Sequence, residues 1–532
     1  MSEKLEIAAG NTPGASPPIG LGQWFAQRAE RSPSRRALSF EGRHWTYAEM
    51  KAEIDRIAAV LEDSGVVAHS RVAYLGFTHP TYYFTLFAAA SLGAIFVPLT
   101  FRLAGPELAH IINDAQPHTL LVGTEHLAVI EGVRSQLACE RYWCAHGETT
   151  DESLLPCIAN ATNAIPVRTK PPVEVRAEDV AVIMYTSGTT GRPKGAMLTF
   201  GNLWWNNIAD LYTLDVRPDD VMLLFGPLFH VAGLNAVNLA LFMKGGHIVL
   251  HRHFEPGAIL ADIVREKITM FGAVPAMMLF LTRHPAFAQT DLSGVRIVFG
   301  GGAPFPEPLL KLLAAQGIAV QQGYGLTETS AVATMLTEEY ALSKLGSVGK
   351  PHLLSQVRLI DGAGEVIDAP MMRGEICVRG PNVIPGYWRQ PEATRAAIDD
   401  DGWLRTGDVG YMDSDGFLFV CDRVKDMILS GGENIYPAEL ESVLFAHPAV
   451  AEVAIVGEDD EDWGERVVAV VALKSGCSLA LEELTDFCEG KLARYKLPRR
   501  LVVLPSLPRN AVGKVLKFQL RNSIKLPSPP PA

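Results

Sequence analysis

The sequence predicts an α/β fold, with a large N-terminal domain of layered α/β subdomains, a small β region, and then a small α+β C-terminal domain. At 532 residues, the chain exceeds what one simple hydrophobic core accommodates. Short apolar runs rich in β-formers alternate with helical patterns, which is typical of largely parallel sheets covered by helices. Beyond about Ser355, Asp/Gly turns separate shorter runs, which predicts antiparallel pairing.

The alternating part contains the clearest individual elements. Apolar runs bounded by turn residues predict strands, and apolar residues spaced three and four apart predict helices. The predicted strands include residues 71–77, 181–186, 247–251, 296–300 and 450–457, and the predicted helices include residues 47–65 and 306–317.

The antiparallel region and the unit after it are predicted in the same way. The antiparallel region comprises residues 357–368, 374–380 and 410–420. The unit that follows Arg423 has the predicted order helix, strand, strand, helix, strand, at residues 437–447, 450–457, 466–474, 481–495 and 499–505.

These features divide the chain into two predicted domains between two tails. We expect the N-terminal domain at residues 21–422 and the C-terminal domain at residues 423–524, with a hinge near Asp422–Lys425. The flanking residues 1–20 and 525–532 are rich in Pro, Gly and Ser and are predicted to be disordered.

The charge balance excludes one broad class of partner. The sequence holds 47 Lys and Arg against 59 Asp and Glu, a net charge of −12. No excess of basic side chains is therefore available to displace the counterions of nucleic acids.

The seven cysteines are odd in number and none forms a CxxC pair. This pattern argues against a zinc site or a disulfide framework and favours a reducing, cytoplasmic compartment.

Two apolar stretches are candidates for membrane-spanning segments. Residues 80–101 and 221–243 lack Asp, Glu, Lys and Arg and are long enough to span a bilayer. Glycine and proline interrupt both stretches, which predicts two buried elements in each rather than one span. The N-terminus has acidic residues and no apolar core, so it does not predict a signal peptide.

The most informative motif is YTSGTTGRPKG, at Tyr185–Gly195, directly after an apolar strand. Its glycines and hydroxyl residues allow backbone N–H and side-chain O–H groups to converge on an anion, and Lys194 adds a positive charge. An ordinary turn needs one or two such residues rather than eleven in succession. The loop predicts phosphate binding, although it is not a Walker A motif.

Three further turns carry candidate residues. In the turn Gln321–Thr329, the ring of Tyr324 lies between glycines and can stack on a base, Thr327 can bond a phosphate, and Glu328 can hold Mg²⁺. Asp408 can accept from two vicinal hydroxyls. Taken alone, each of these turns is more often structural, as is the glycine-rich turn Phe299–Pro308.

Together with Gly513-Lys514, these motifs, in this order, resemble those of the adenylate-forming superfamily. That superfamily contains acyl-CoA synthetases, aryl-CoA ligases, peptide-synthetase adenylation domains and firefly luciferase. The resemblance extends over nearly the whole chain between the predicted tails. Residues 430–441 resemble bacterial fatty acyl-CoA and feruloyl-CoA ligases more than luciferases. The resemblance implies an N-terminal AMP-binding domain and a mobile C-terminal domain.

The resemblance also implies roles for individual residues. Adenine would lie between the turn Gly301–Pro304 and Tyr324, ribose would bind Asp408, and Glu328 with Thr186 would hold Mg²⁺. The positions that match nucleotide contacts are Thr186, Ser187, Gly188, Thr189, Thr190, Gly191, Lys194, Gly301, Gly302, Ala303, Pro304, Gly323, Tyr324, Gly325, Thr327, Asp408, Arg423, Lys425 at the hinge, and Lys514. Gly431 and Gly432 match the entry tunnel of the CoA thiol.

The same resemblance implies the chemistry. A carboxylate is already nucleophilic at neutral pH, so its attack on the α-phosphorus of ATP needs compensation of like charges rather than a general base. Lys514 would contact both the carboxylate and the α-phosphate. The residues with expected catalytic roles are Lys514, Glu328, His230 and Thr186. The expected walls of the acyl pocket are His230, Leu234, Asn235, Gly300, Gly325 and Val348, although His230 could instead be a hydrogen-bonded core histidine.

The expected activity is an ATP-dependent carboxylate–CoA ligase that uses ATP, Mg²⁺ and CoA. A fatty acid of medium or long chain and an aryl or hydroxycinnamic acid both remain open as substrate. Two other activities also remain open, namely an acyl-AMP ligase that loads a separate carrier protein and a non-catalytic nucleotide-binding protein. The sequence also leaves open a homodimer and peripheral membrane contact.

Overall fold

The structure, a computed structural model, describes residues 19–146, 157–186, 193–430, 433–461, 463–509 and 515–524. Of the two predicted tails, only Ile19 and Gly20 fall within these ranges.

The described residues contain 24 strands, arranged in four sheets. The strands are β1 (Arg36–Phe40), β2 (Arg43–Thr46), β3 (Arg71–Leu75), β4 (Ile95–Leu99), β5 (Thr119–Val122), β6 (Arg141–Cys144), β7 (Val180–Thr186), β8 (Lys194–Thr199), β9 (Val221–Leu224), β10 (His247–Leu250), β11 (Met270–Ala273), β12 (Ile297–Gly300), β13 (Val320–Tyr324), β14 (Thr334–Met335), β15 (Lys350–Pro351), β16 (Gln356–Ile360), β17 (Gly374–Arg379), β18 (Leu404–Met412), β19 (Leu418–Arg423), β20 (Ile428–Ser430), β21 (Glu433–Ile435), β22 (Val450–Asp460), β23 (Gly464–Leu473) and β24 (Arg500–Val503).

The same ranges contain 17 α-helices. The helices are α1 (Leu21–Arg31), α2 (Tyr47–Asp63), α3 (Pro80–Ser91), α4 (Gly105–Ala115), α5 (Leu127–Glu131), α6 (Ile158–Ala164), α7 (Phe200–Thr213), α8 (Val231–Asn235), α9 (Asn238–Lys244), α10 (Pro256–Arg265), α11 (Pro275–Arg283), α12 (Glu307–Ala315), α13 (Glu338–Ala341), α14 (Pro391–Ala397), α15 (Pro437–Phe445), α16 (Leu481–Cys488) and α17 (Lys517–Ile524).

Two largely parallel sheets form the first part of the chain, as the sequence predicts. One has the order β6-β5-β3-β4-β7-β8 and is parallel except for β8, which is antiparallel to β7. The other has the order β15-β14-β13-β12-β11-β9-β10-β1-β2 and is parallel from β13 to β1. Because parallel strands end at the same edge, loops from distant parts of the chain meet there.

The two uncharged stretches form separate buried elements, as predicted. Residues 80–101 form α3, every residue of which is buried, and then β4. The helix ends before Gly93, which adopts φ +67°. Residues 221–243 form β9, α8 and most of α9. Among the described residues, no helix is both long enough and apolar enough to cross a membrane.

The predicted antiparallel region is the four-stranded sheet β16-β17-β18-β19. The next strand, β20, belongs to a different sheet, in which β21-β20-β23-β22 lie in order and β24 pairs with β23. The change of sheet occurs across Val424–Met427, which includes the predicted hinge residue Lys425. The domain bounds and the mobility of the C-terminal domain stay predictions.

One element of the C-terminal domain is shorter than predicted. The helix expected over residues 481–495 ends at Cys488. Gly490 then adopts φ +72°, a left-handed conformation that ends a helix, and only a 3₁₀ turn follows at Arg494–Lys496. The apolar spacing of Leu481, Leu484 and Cys488 matches the observed helix, whereas the residues beyond Gly490 belong to a loop.

Candidate active site

The predicted phosphate loop joins the antiparallel strands β7 and β8. Thr186, at the end of β7, lies opposite Lys194, at the start of β8, and the Thr186 hydroxyl donates to the Lys194 carbonyl at 3.5 Å. Both ends of the loop are therefore held at the edge of the six-stranded sheet. The intervening positions Ser187, Gly188, Thr189, Thr190 and Gly191 lie outside the described residues.

The turn after β12 and the end of β13 lie side by side, because these two strands are parallel neighbours. A Cβ placed on Gly301 would lie 2.6 Å from the carbonyl oxygen of Gly323, so the two backbones approach each other as only glycine allows. Gly302 adopts φ +77°. The turn expected to bind adenine is thus in contact with the strand that carries Tyr324.

Tyr324, Asp408 and Arg423 form one group, joined by a hydrogen bond and an ion pair. The Tyr324 phenol donates to Asp408 Oδ2 at 2.8 Å, and Arg423 Nε lies 3.0 Å from Asp408 Oδ1. Asp408 lies opposite Arg423 in the antiparallel register of β18 and β19, and it is 4% exposed. Burial, followed by the charge of Asp408, raises the pKa of Tyr324 well above its usual value, so the phenol remains a donor.

Glu328 lies in a 3₁₀ turn, Thr327–Thr329, shortly after β13. Its carboxylate oxygen Oε1 accepts from the Tyr387 phenol at 2.8 Å, and its backbone carbonyl accepts from Ile384 N–H at 3.0 Å. The Lys194 ammonium lies 5.1 Å from the centre of the Tyr387 ring. Glu328 and Lys194, which were predicted from separate motifs, therefore contact the same aromatic side chain.

These side chains fit a hard cation. Glu328 Oε2 makes no hydrogen bond within the described ranges, and a free carboxylate oxygen is the ligand that Mg²⁺ prefers. The Thr186 hydroxyl is a second oxygen at the end of a strand in the neighbouring sheet. When bound, Mg²⁺ would offset phosphate charge.

On the acid-binding side, His230 immediately precedes α8, and its ring centre lies 4.6 Å from that of Phe229. Its Nε2 is buried and has no hydrogen-bond partner among the described residues. Burial, and secondarily the charge of Arg102, lowers the pKa of His230 to about 4. The imidazole is therefore neutral at physiological pH and has one nitrogen without a protein partner.

Other predicted wall residues have mainly structural contacts. Asn235 is fully buried, accepts from Asn207 Nδ2 at 2.9 Å and donates to the Ser330 carbonyl at 2.7 Å. Leu234 is fully buried in the main core, whereas Val348 packs in a different apolar cluster, which includes Tyr324.

Two glycines of the predicted pocket wall lie where a side chain would clash with neighbouring atoms. A Cβ on Gly300 would lie 2.5 Å from the Phe305 ring, and one on Gly325 would clash with the carbonyl of Ala331. The space beside Gly300 is therefore filled by the protein itself. Of the predicted wall residues, His230 is the one with a buried side-chain nitrogen, Nε2, that has no hydrogen-bond partner in the described structure.

Several predicted residues are not brought into these groups. Lys425 is exposed in the turn between β19 and β20. Lys514, Gly431 and Gly432 lie outside the described residues, and their roles stay predictions.

Sequence reasoning missed Tyr387. The residue lies in a loop, and the available signal was the aromatic pair Tyr387-Trp388 after Gly386. The loop pairs with β8 through an isolated bridge between Ala196 and Tyr387.

Comparison with known proteins agrees with this geometry. The sequence model described as AMP-binding enzyme matches residues 25–388, and that described as AMP-binding enzyme C-terminal domain matches residues 439–514. A feruloyl-CoA synthase of an Amycolatopsis species is 42% identical over 94% of this chain and 98% of its own. A long-chain fatty acid–CoA ligase of Mycobacterium tuberculosis is 38% identical over 94% of this chain and 98% of its own.

A solved structure has the same fold. The o-succinylbenzoate CoA synthetase of Bacillus subtilis, in complex with its acyl-adenylate intermediate, superimposes with a TM-score of 0.83 at 34% identity. The match covers 95% of this chain and 98% of that one. With both characteristic regions matched in order, this chain belongs to the AMP-binding enzyme family of acyl- and aryl-CoA synthetases.

Proposed function

We propose that this protein is an ATP-dependent carboxylate–CoA ligase. It joins a carboxylic acid to AMP with release of pyrophosphate and then transfers the acyl group to the thiol of CoA. The observation that carries this proposal is the group formed by Tyr324, Asp408 and Arg423, which presents an aromatic ring beside a buried carboxylate. Within a family of CoA ligases, that arrangement suits a nucleoside.

In the proposed complex, adenine stacks on Tyr324, and the ribose hydroxyls donate to Asp408. Binding the ribose requires Asp408 to accept hydrogen bonds from ligand hydroxyls in addition to, or in place of, its hydrogen bond from Tyr324 and its ion pair with Arg423. A buried carboxylate is an effective acceptor because hydrogen bonds to charged groups are stronger than those between neutral groups. The contact with ribose supplies orientation as well as affinity.

The first step brings two anions together. A carboxylate oxygen attacks the α-phosphorus, a new O–P bond forms, and the bond from the α-phosphorus to the pyrophosphate oxygen breaks. Lys194 and Lys514 offset the negative charge, while Glu328 and Thr186 would hold Mg²⁺. No proton has to be removed from the nucleophile, since the acid is ionised at neutral pH.

The second step transfers the acyl group. The CoA thiolate attacks the carbonyl carbon of the mixed anhydride, the C–S bond forms, and AMP leaves with the electrons of the C–O bond. We assign the hinge to Lys425 and the approach of the thiol to Gly431 and Gly432, so the C-terminal domain would rotate between the two steps.

An aryl acid is the proposed substrate class. A neutral His230, packed against the Phe229 ring, offers an aromatic contact and one nitrogen without a hydrogen-bond partner among the described residues. The Phe305 ring fills the space beside Gly300, one of the expected walls of the acyl pocket, and this favours a compact acid over a long chain. The similarity to a feruloyl-CoA synthase supports an aryl acid as substrate. The similarity to a long-chain fatty acid–CoA ligase supports a fatty acid instead.

Pyrophosphate release over a panel of acids tests the proposal. Acetate, octanoate, palmitate, benzoate and ferulate are each incubated with ATP and Mg²⁺, with and without CoA, and AMP and thioester are quantified. We expect release with benzoate or ferulate, and thioester only when CoA is present. A preference for octanoate or palmitate would replace the aryl proposal with fatty acid activation.

The same assay separates the other activities. Thioester formed on a phosphopantetheine carrier protein but never on CoA would identify a carrier-loading ligase. AMP binding without turnover, unchanged by Lys514→Ala, would identify a nucleotide-binding protein without catalysis.

The cellular location is also a proposal. No disulfide bond is formed among the described residues, which suits a reducing cytoplasm. Fractionation of cells that express the protein tests this location, and sedimentation velocity tests whether the protein forms the homodimer that the sequence leaves open.

A further inference from the structure

Tyr387 lies between the two oppositely charged groups expected to bind the phosphates and the metal. We propose that Tyr387 is a positioning residue that orients the Glu328 carboxylate and keeps it apart from the Lys194 ammonium, so that each group stays available to its own ligand. The inference rests on the proposed function for the identity of those ligands, Mg²⁺ for Glu328 and phosphate for Lys194.

The hydrogen bond is the first support. The Tyr387 phenol donates to Glu328 Oε1 at 2.8 Å. A tyrosine phenol is protonated at neutral pH and so can donate this bond. A bond to one carboxylate oxygen fixes the carboxylate plane and leaves the other oxygen for a cation.

The ring is the second support. The Lys194 ammonium lies 5.1 Å from the centre of the Tyr387 ring, within the range of a cation–π interaction. Across the described ranges, Lys194 and Glu328 form no ion pair with each other. A direct pair would occupy the same carboxylate oxygens and ammonium protons that the metal and the phosphates need.

Tyr387 itself is held firmly by its loop. Its backbone N–H donates to Thr394 Oγ1 at 2.9 Å. Gly386 adopts φ +150°, and a Cβ there would lie 2.5 Å from Thr394 Cγ2, so the loop packs closely on α14. The side chain therefore projects from a fixed backbone.

The same loop joins the two parallel sheets. Trp388 N–H donates to the carbonyl of Gly195 in β8 at 2.7 Å, and Ile384 N–H donates to the carbonyl of Glu328 at 3.0 Å. Lys194 belongs to the six-stranded sheet, whereas Glu328 follows β13 of the nine-stranded sheet. Residues 384–388 thus set the separation of the two charged groups across the boundary between the sheets.

Calorimetric titration with ATP at a series of Mg²⁺ concentrations tests the proposal. For Tyr387→Phe, which keeps the ring and removes the donor, we expect the Mg²⁺ concentration for half-maximal ATP binding to rise on the order of tenfold. Affinity for ATP in EDTA should change by less than about twofold, because the ring still faces Lys194.

A double-mutant comparison distinguishes positioning from a general loss of structure. If Tyr387 acts through Glu328, Tyr387→Phe shifts the Mg²⁺ dependence of the wild type but adds no shift to Glu328→Gln. Tyr47→Phe is the matched control, since Tyr47 is also a buried phenol and donates to the Gly246 carbonyl at 2.7 Å, away from these groups. The control should retain the wild-type Mg²⁺ dependence.

Three results would overturn the proposal: an unchanged Mg²⁺ dependence in Tyr387→Phe, an equal shift in Tyr47→Phe, or a full additional shift in the Glu328→Gln background. Failure of the proposed function is distinguishable, because binding of Mg²⁺ and ATP is measured without any acid. A wild-type protein that binds both but activates no acid would refute the ligase proposal alone.

Discussion

The phenol of Tyr324 donates a 2.8 Å hydrogen bond to Asp408, although 84 positions separate the two residues in the sequence. Tyr324 ends β13 of the nine-stranded sheet, whereas Asp408 lies in β18 of the four-stranded antiparallel sheet. The proposed nucleoside site is therefore built where two sheets meet, and neither sheet alone could form it.

Asp408→Ala should weaken ATP binding about 10- to 100-fold, because bonds to a buried charged acceptor are lost. The variant should also lose discrimination between ATP and its 2′-deoxy and 3′-deoxy analogues, which calorimetry measures. Asp415→Ala, which removes an exposed carboxylate from the turn between β18 and β19, is the control. Retained discrimination in Asp408→Ala would show that another residue recognises the ribose.

Lys514→Ala should slow adenylation on the order of 10²- to 10³-fold, since its charge is needed mainly in the transition state. Thioester formation from supplied acyl-AMP should be much less affected. Single-turnover measurements of each half-reaction test this difference, with the exposed Lys491→Ala as control. Equal losses in both half-reactions would refute the assignment.

Gly301→Ala should destabilise the protein by about 1–3 kcal/mol and weaken ATP binding, because the new methyl group would meet backbone rather than a flexible side chain. The nearest atom is the Gly323 carbonyl oxygen, 2.6 Å away. Gly362→Ala has open space around it and should be nearly neutral. Scanning calorimetry and ATP titration of both variants check the prediction, which an unchanged Gly301→Ala would contradict.

The protonation of Asp210 should make the free energy of unfolding decrease as the pH rises from about 4 to 8. Asp210 is fully buried, and burial raises its pKa to about 8. In that window the folded protein keeps a proton that the unfolded chain has released, so one group contributes a slope of at most about 1.4 kcal/mol per pH unit.

Asn at position 210 has no such proton to lose. The melting temperature of Asp210→Asn, relative to wild type, should therefore increase between pH 5 and pH 8. Buried histidines without an ion pair to Asp210, such as His230, titrate in both proteins and largely cancel in the difference, whereas His352 Nε2 lies 3.6 Å from Asp210 Oδ1 and belongs to the same titrating pair. A constant difference across this range would mean that Asp210 is ionised in the folded protein.

The sequence allowed much of the architecture to be predicted, since the periodicity of apolar residues and the turn residues are local signals. Helix α16 is shorter than the sequence predicts, because apolar residues continue past Gly490 into a loop. The motif residues Tyr324, Glu328 and Asp408 were identifiable, but their partners were not, because those contacts join separate sheets.

Two residues show this limit most clearly. No strong local sequence pattern marks Tyr387. Its proposed positioning role follows from its contacts with Glu328 and Lys194, which lie far from it in the sequence. Asn235 is expected in the wall of the acyl pocket, yet its amide oxygen accepts from Asn207 and its amide nitrogen donates to Ser330. A buried amide needs partners, and the sequence does not reveal which residues supply them.

Arg423 pairs with Asp408 and is also the last residue of β19, directly before the turn that leads into the C-terminal sheet. Only Val424 separates it from the exposed Lys425. In the proposed mechanism, a ribose bound at Asp408 would compete with Arg423, which directly precedes the predicted hinge segment. The predicted rotation of the C-terminal domain would then be coupled to the bound nucleotide through Arg423 and Lys425, which are two positions apart.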